Sequence, residues 1–267
     1  MIPKPFAALV LMIGALASAP AFSSLAPEVY TADTRGELAI DAEGRVVDVK
    51  LDHQQLGANV MDSFEQQMMA WRFEPILVDG KPTQAYASVS LALFLVRDPG
   101  AQGVRIGFKE VTFRDATDEG AAAEAARRMR PPRYPTRQAE NDVGARVKLF
   151  LQLDDEGRVV RSAAEEVFLL GGGVEDRLVD RHVEAFRKAA MAGAAGWVIP
   201  DAQGGRVVVP VVFTPPGARG RWVRTRVAPV QAPAWVAEER AKDGVDELGS
   251  GGLRSSERWK LVTPIDG

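Results

Sequence analysis

Residues Asp41-Ala42-Glu43-Gly44-Arg45-Val46-Val47 recur, almost unchanged, as Asp154-Asp155-Glu156-Gly157-Arg158-Val159-Val160. Each copy follows a run that alternates apolar and polar residues. Each is followed by a helical pattern, a Trp-to-Pro corner (Trp71 to Pro75, Trp197 to Pro200) and a last apolar run. A repeat at this scale means one supersecondary unit built twice. Nothing in it is chemically reactive, so it is a repeat of turns, strands and packing residues and points away from an enzyme.

Local patterns fill in each unit. Leu38 and Ile40 alternate with Glu37, Ala39 and Asp41, the period of a strand with one buried face. The Glu43-Gly44 turn returns the chain with Val47, Val49 and Leu51 on one side, an antiparallel hairpin. Asn59 is the expected N-cap of a helix with Asp62 in its first turn and a stripe of Val60, Phe64, Met68 and Trp71. Past Pro75 and an Asp79-Gly80 turn, residues 85–96 alternate as a third strand, with Tyr86, Ser88 and Ser90 opposite Val89, Leu91 and Leu93. The second unit repeats the order. Tyr134-Pro135 opens a short helix, and Val147, Leu149, Leu151 and Leu153 make a buried strand side. Leu178, Val179, His182, Val183 and Phe186 make the inner face of a second long helix. Residues 206–214 form the final strand, and Pro210 inside it marks a sheet edge, where a missing N–H is harmless.

The expected fold class is α+β: two tandem small antiparallel-sheet domains of ββαβ type, each with a helix on one face. The units are residues 36–96 and 132–215. Residues 97–131 connect them, with a short strand at 104–113 and an alanine-rich helix at 119–129. Residues 216–267, rich in Pro, Gly and charge, read as a flexible tail with Trp222 or Trp235 locally packed.

The chain has 267 residues, no cysteine and a net charge of -3. It therefore carries no disulfide, no thiolate metal site and no basic field for nucleic acid. Residues 1–21 read as a cleaved signal peptide: Lys4, an apolar core from Phe6 to Leu16, then Ala19-Pro20-Ala21 as the cleavage site. That places the mature chain, starting at Phe22, in the periplasm. An uncleaved anchor is the alternative and would need about 20 apolar residues.

Residues Tyr134-Pro135, Gly144, Asp155-Glu156-Gly157-Arg158-Val159 and Val209-Pro210-Val211-Val212-Phe213, in this order, resemble the C-terminal domain of TonB. The first unit resembles it through residues 41–47 and Trp71-Arg72-Phe73-Glu74-Pro75. The resemblance implies a small sheet that binds an extended peptide of an envelope partner, an outer-membrane transporter among the candidates, by strand addition at its last strand. Carried onto this chain, it implies a binding edge of Arg206, Val207, Val208, Val209, Pro210, Val211, Val212 and Phe213, with Tyr134 and Pro135 beside it. No histidine precedes His53 and no Pro-rich linker precedes Gly36. The resemblance thus implies a periplasmic relative without the transducer's anchor; an anchored transducer follows only if residues 1–21 stay attached.

No cofactor, metal or catalytic set is expected. His53 and His182 stand alone, Gly171-Gly172-Gly173 lacks a following Gly-Lys-Ser/Thr, and the pairs Asp154-Asp155 and Glu165-Glu166 read as turn and surface residues. A structural module, with its edges paired within the chain or between copies in a homodimer, is the alternative to a binding role.

Overall fold

The computed structural model describes residues 27–52, 55–98, 102–115, 124, 127–200, 202, 205–248 and 258–265. The signal-peptide segment, His53 and most of the alanine-rich helix lie outside them. Among the described residues the fold is α+β, mostly strands with four α-helices. In chain order they are β1 (Glu28–Ile40), β2 (Val46–Leu51), α1 (Ala58–Met69), β3 (Leu77–Val78), β4 (Lys81–Pro82), β5 (Ala85–Arg97) and β6 (Arg105–Asp115). Then come α2 (Thr136–Glu140), β7 (Gly144–Leu153), β8 (Val159–Leu170), α3 (Val179–Ala194), β9 (Arg206–Phe213), β10 (Val223–Ala228), α4 (Ala234–Arg240) and β11 (Val245–Glu247).

Both halves use the same pairing. β1 lies between β2 and β5, and β7 lies between β8 and β9, all antiparallel. Instead of two small sheets, however, there is one nine-stranded sheet, ordered β11-β9-β7-β8-β10-β1-β5-β6 with β2 also on β1. The join is β10, which pairs antiparallel with β8 over Ala228 to Thr225 and with β1 over Thr225 to Val223. The Thr31 and Thr225 hydroxyls meet at 2.7 Å where the two registers overlap. The segment expected to be a flexible tail is therefore the central seam of the sheet. Its Val-Arg-Thr-Arg-Val alternation is a strand pattern, short enough to be masked by the Pro and Gly around it.

The connecting segment also belongs to the sheet. β6 pairs with β5 from Asp115 to Arg105, and one extra residue, Lys109, bulges between Phe108 and Glu110. The first strand begins at Glu28, ahead of the expected boundary at residue 36. Tail residues close the first core. Trp222 stacks 6.5 Å from Phe64 and donates to the Leu56 carbonyl at 2.8 Å, and Trp259 is buried against Phe73.

The duplicated motif makes a duplicated joint. Asp41 Oδ1 accepts the N–H groups of Glu43 and Arg45 at 3.1 and 2.9 Å. Asp154 Oδ1 accepts those of Glu156 and Arg158 at 3.0 and 2.8 Å. Each turn carbonyl then receives the post-tryptophan strand: Phe73 N–H to Gly44 O at 2.8 Å and Ile199 N–H to Gly157 O at 2.7 Å. Gly44 and Gly157 sit at φ of 81° and 77°, and a Cβ there would lie 2.0 and 2.5 Å from the carbonyl oxygens of Phe73 and Ile199. The repeat thus records a hairpin turn against which the Trp-to-Pro corner docks.

Helix α1 packs Met61, Phe64 and Met68 onto the first half, and α3 packs Val179, Phe186, Ala190 and Ala194 onto the second. The start of α1 differs from expectation. Gly57 at φ 89° is the N-cap, no side chain caps the helix, and Asn59 lies inside it. Phe64, Met68 and Trp71 of the expected stripe are buried, and in the first turn Met61 is buried where Val60 was expected.

Gly44→Ala and Gly157→Ala should each lower stability in urea by more than the roughly 1–3 kcal/mol of a non-glycine residue held at positive φ. Gly80→Ala is the control, with φ 75° but nothing within 4 Å of the added methyl. A loss no larger at positions 44 and 157 than at 80 would show that the docked corner is not under close contact.

Candidate functional site

β9 is a run of β-branched residues, and its alternation divides it cleanly. Val207, Val209, Val211 and Phe213 enter the core under α3, while Val208 enters a second, smaller cluster with Phe150, Ala163 and Val236 on the other face. The Leu248 N–H donates to Val208 O at 2.9 Å, so the backbone of Val208 points away from β7. Pro210 and Val212 share that outward direction by the two-residue period. Pro210 therefore lacks an N–H only on the outer margin.

β9 is not the last strand in the order. β11 runs parallel beside it, pairing Val245, Asp246 and Glu247 with Arg206, Val207 and Val208. Beyond Val208, among the described residues, no strand lies beside the outer margin of Val209, Pro210, Val211, Val212 and Phe213. Arg206 holds the tail rather than solvent: it pairs with Glu239 at 3.4 Å and donates to the Asp243 carbonyl. Helix α4 is held by buried Val236, by Trp235 against Phe150 at 5.8 Å, and by an Arg240–Glu165 pair. Glu165 is the extra residue of a bulge in β8, since Lys148 pairs with Glu166 and Leu149 with Ala164. Expected to be surface residues, Glu165 and Glu166 thus lie in β8, one holding the tail helix and the other lining a cleft.

Tyr134 and Pro135 lie under the sheet rather than on its margin. The Tyr134 hydroxyl donates to Val143 O at 3.0 Å, and its ring packs edge-on to Phe186 and Phe213. Burial, with a lesser contribution from nearby Asp142, pushes its hydroxyl up to about 12. Pro135 is the N-cap of α2. Tyr134 therefore reaches β9 only through the ring of Phe213, from the helix side. His182 is buried with Nδ1 3.4 Å from Gln138 Nε2, and desolvation, then Arg181, lowers its pKa.

The region not anticipated from the sequence lies on the face opposite α1 and α3. Ala32 is in the α1 core and Val147 in the α3 core, so Asp33 and Arg146 project from the opposite face of their strands. They nevertheless meet: Arg146, only 6% exposed, bonds Asp33 and also Glu110 of β6, the latter at 3.1 Å. Residues near opposite ends of the strand order can meet only if the sheet is folded back, with α1 and α3 outside and the opposite faces inward. Twist accumulated over many strands and the bulge at Lys109 favour such folding. The fold forms two clefts of about 430 and 320 Å³, the second lined by Lys109, Lys148, Glu166 and Phe168 and opening onto Pro210 and Glu247.

Lys109 is accessible as a residue, yet its ammonium lies 3.1 Å from the centroid of the Phe168 ring. Desolvation, with Arg146 as the next cause, lowers its pKa to about 8. In sequence, Arg146 and Lys148 are ordinary outward-facing strand residues; only the burial of Arg146 against Glu110 of β6 and the place of Lys148 in the cleft make them notable. Among the described residues no cluster of His, Cys, Asp or Glu is placed to hold a metal ion, and no helix is long and apolar enough to cross a membrane. No protein-family model, curated protein or solved structure matches the chain.

The lowered Lys109 pKa has a definite sign. Below about pH 8 the residue is charged folded and unfolded, and its desolvation penalty is fully present. Between about 8 and 10.5 the unfolded chain holds more protons, so stability from this group rises with pH. The urea midpoint of the wild type relative to Lys109→Met should climb across that window; a flat difference would contradict the buried ammonium.

Proposed function

We propose that the protein is an exported, non-enzymatic binding module whose halves are two TonB C-terminal-like units of ββαβ type. On this reading the outer margin of β9 accepts an extended segment of an envelope protein by strand addition. One observation carries it: this margin already accepts a parallel strand, the chain's own β11, through backbone bonds such as Leu248 N–H to Val208 O. Strand addition draws affinity from main-chain hydrogen bonds and selectivity from the pockets that receive alternate side chains. The open stretch of β9 supplies the first, and the core under α3 with the cleft beside Lys148 supplies the second. Pro210 limits the margin's own tendency to aggregate, because an edge that lacks a donor pairs less readily with another edge.

The matching pairings of β1 with β2 and β5, and of β7 with β8 and β9, support the two-unit reading. The units differ at the margin that matters. β5, the first-half counterpart of β9, is covered along residues 87–96 by β6. The binding edge is therefore assigned to the second unit alone.

Photo-crosslinking in cells with a probe at Pro210 and Val212 should capture an envelope protein, an outer-membrane transporter being the first candidate. The inward positions Val209 and Val211 should crosslink only within the chain. Capture of a second copy of the chain from positions 210 and 212 would favour the dimerisation reading instead. Crosslinks confined to the chain itself from all four positions would overturn strand addition. The intact mass of the exported protein should correspond to a start at Phe22.

A further inference from the structure

On the reading that the β9 margin is the binding edge, we propose that residues 245–248 are a built-in competitor for it. The partner that displaces them repeats their pattern: an extended segment with a carboxylate side chain followed by an apolar one.

The geometry of the present occupant defines both halves of the pattern. Parallel pairing places Glu247 beside Val208, on the cleft face, where its carboxylate is 3.7 Å from Lys148 Nζ. The next residue, Leu248, turns to the opposite face and is buried in the core under α3. An incoming strand in this register meets a cation with one side chain and an apolar pocket with the next. The preference for a carboxylate is local to Lys148. When Glu247 leaves, Lys109, Arg146 and Lys148 remain, facing Glu110, Glu166 and Asp33, and Lys148 loses its contact with Glu247. Lys109 is already held below its ordinary pKa by burial and by Arg146, so a further cation would be disfavoured there and a carboxylate accepted.

The occupant is also built to leave. β11 has only three residues, against eight in β9, so a longer segment can pair where β11 does and continue past Pro210 to the outward backbone of Val212. Helix α4 does not need to move with it. It is fixed by Val236 and the Arg240–Glu165 pair, and Gly244 at φ 79° is the joint between helix and strand. Glu247 also lies 3.6 Å from Arg240, an exposed contact of the kind that contributes little to holding β11 in place.

The test uses the full-length protein and a labelled, end-capped octapeptide with the sequence of residues 243–250, read by fluorescence anisotropy. Two variants release the tail differently: Leu248→Pro removes the N–H that bonds Val208, and Glu247→Lys sets like charge against Lys148 and Arg240. Hydrogen exchange over residues 245–248 checks the release. Both variants should bind the peptide at least about tenfold more tightly than the wild type, because occupancy by the tail reduces the competent fraction. A peptide with Lys in place of its Glu should lose most of that binding, and Lys148→Glu added to Leu248→Pro should restore it. Equal affinity for wild type and both variants would overturn the competitor while leaving the edge reading intact, as would a tail that stays protected in both. Equal binding of the Glu and Lys peptides would overturn the acidic partner. Released tails with no binding of either peptide would sink the edge reading itself.

Discussion

The backbone pairing of β10 is the contact on which the rest of the molecule depends. Each half has its own helix-covered core, yet β8 and β1 would each keep an unpaired margin without a strand between them. Residues 223–228 satisfy both margins at once, overlapping at Thr225. An unpaired edge is a liability for aggregation as well as a loss of hydrogen bonds. Filling it with a late segment joins two units into one cooperative sheet. It also places the faces opposite α1 and α3 toward one another, and Arg146 between Asp33 and Glu110 then closes the fold with a charge-assisted contact.

Once β10 is in place, everything after it is constrained. The chain leaves β10 at Ala228, crosses the bare face as α4 over Phe150 and Val208, and ends beside β9 as β11. One stretch of chain is thus the seam of the sheet at one point and the occupant of its edge at another. The bulge residue Glu165 connects these roles, since it is extruded from β8 by the register shift and grips Arg240 of α4. A buried contact and a bidentate ion pair hold the helix, while three residues of parallel pairing, the Leu248 bond to Val208 and the buried Leu248 side chain hold the strand.

The repeated Asp-x-Glu-Gly-Arg turn shows a different kind of constraint. Asp41 and Asp154 tie the turn from within, and the glycines let a carbonyl of the Trp-to-Pro corner approach closer than any Cβ permits. The corner then sets where the strand after each helix re-enters the sheet. Local chemistry in these few residues, used twice, determines the equal pairing of the two halves.

These turns were legible in the sequence for that reason: the interactions are local, and residue type alone specifies them. The same holds for the alternation of β1, β5, β7 and β9, the long helices, and the outward Pro210. What short-range pattern could not reveal was which edges find each other. Residues 223–228 alternate as a strand, but only the free margins of β8 and β1 make them one, over sequence separations too long for any local signal. Arg146 and Lys148 look like solvated residues in the sequence, and Tyr134 like a neighbour of the binding edge. Folding the sheet back buries Arg146 against Glu110 of β6, places Lys148 in the cleft, and leaves Tyr134 under α3. The sequence by itself determined the turns, the strand faces and the duplicated joint, because each rests on contacts among near neighbours. The single sheet, the clefts and the occupied edge were decided only by the tertiary structure, because each depends on pairing between segments far apart in the chain.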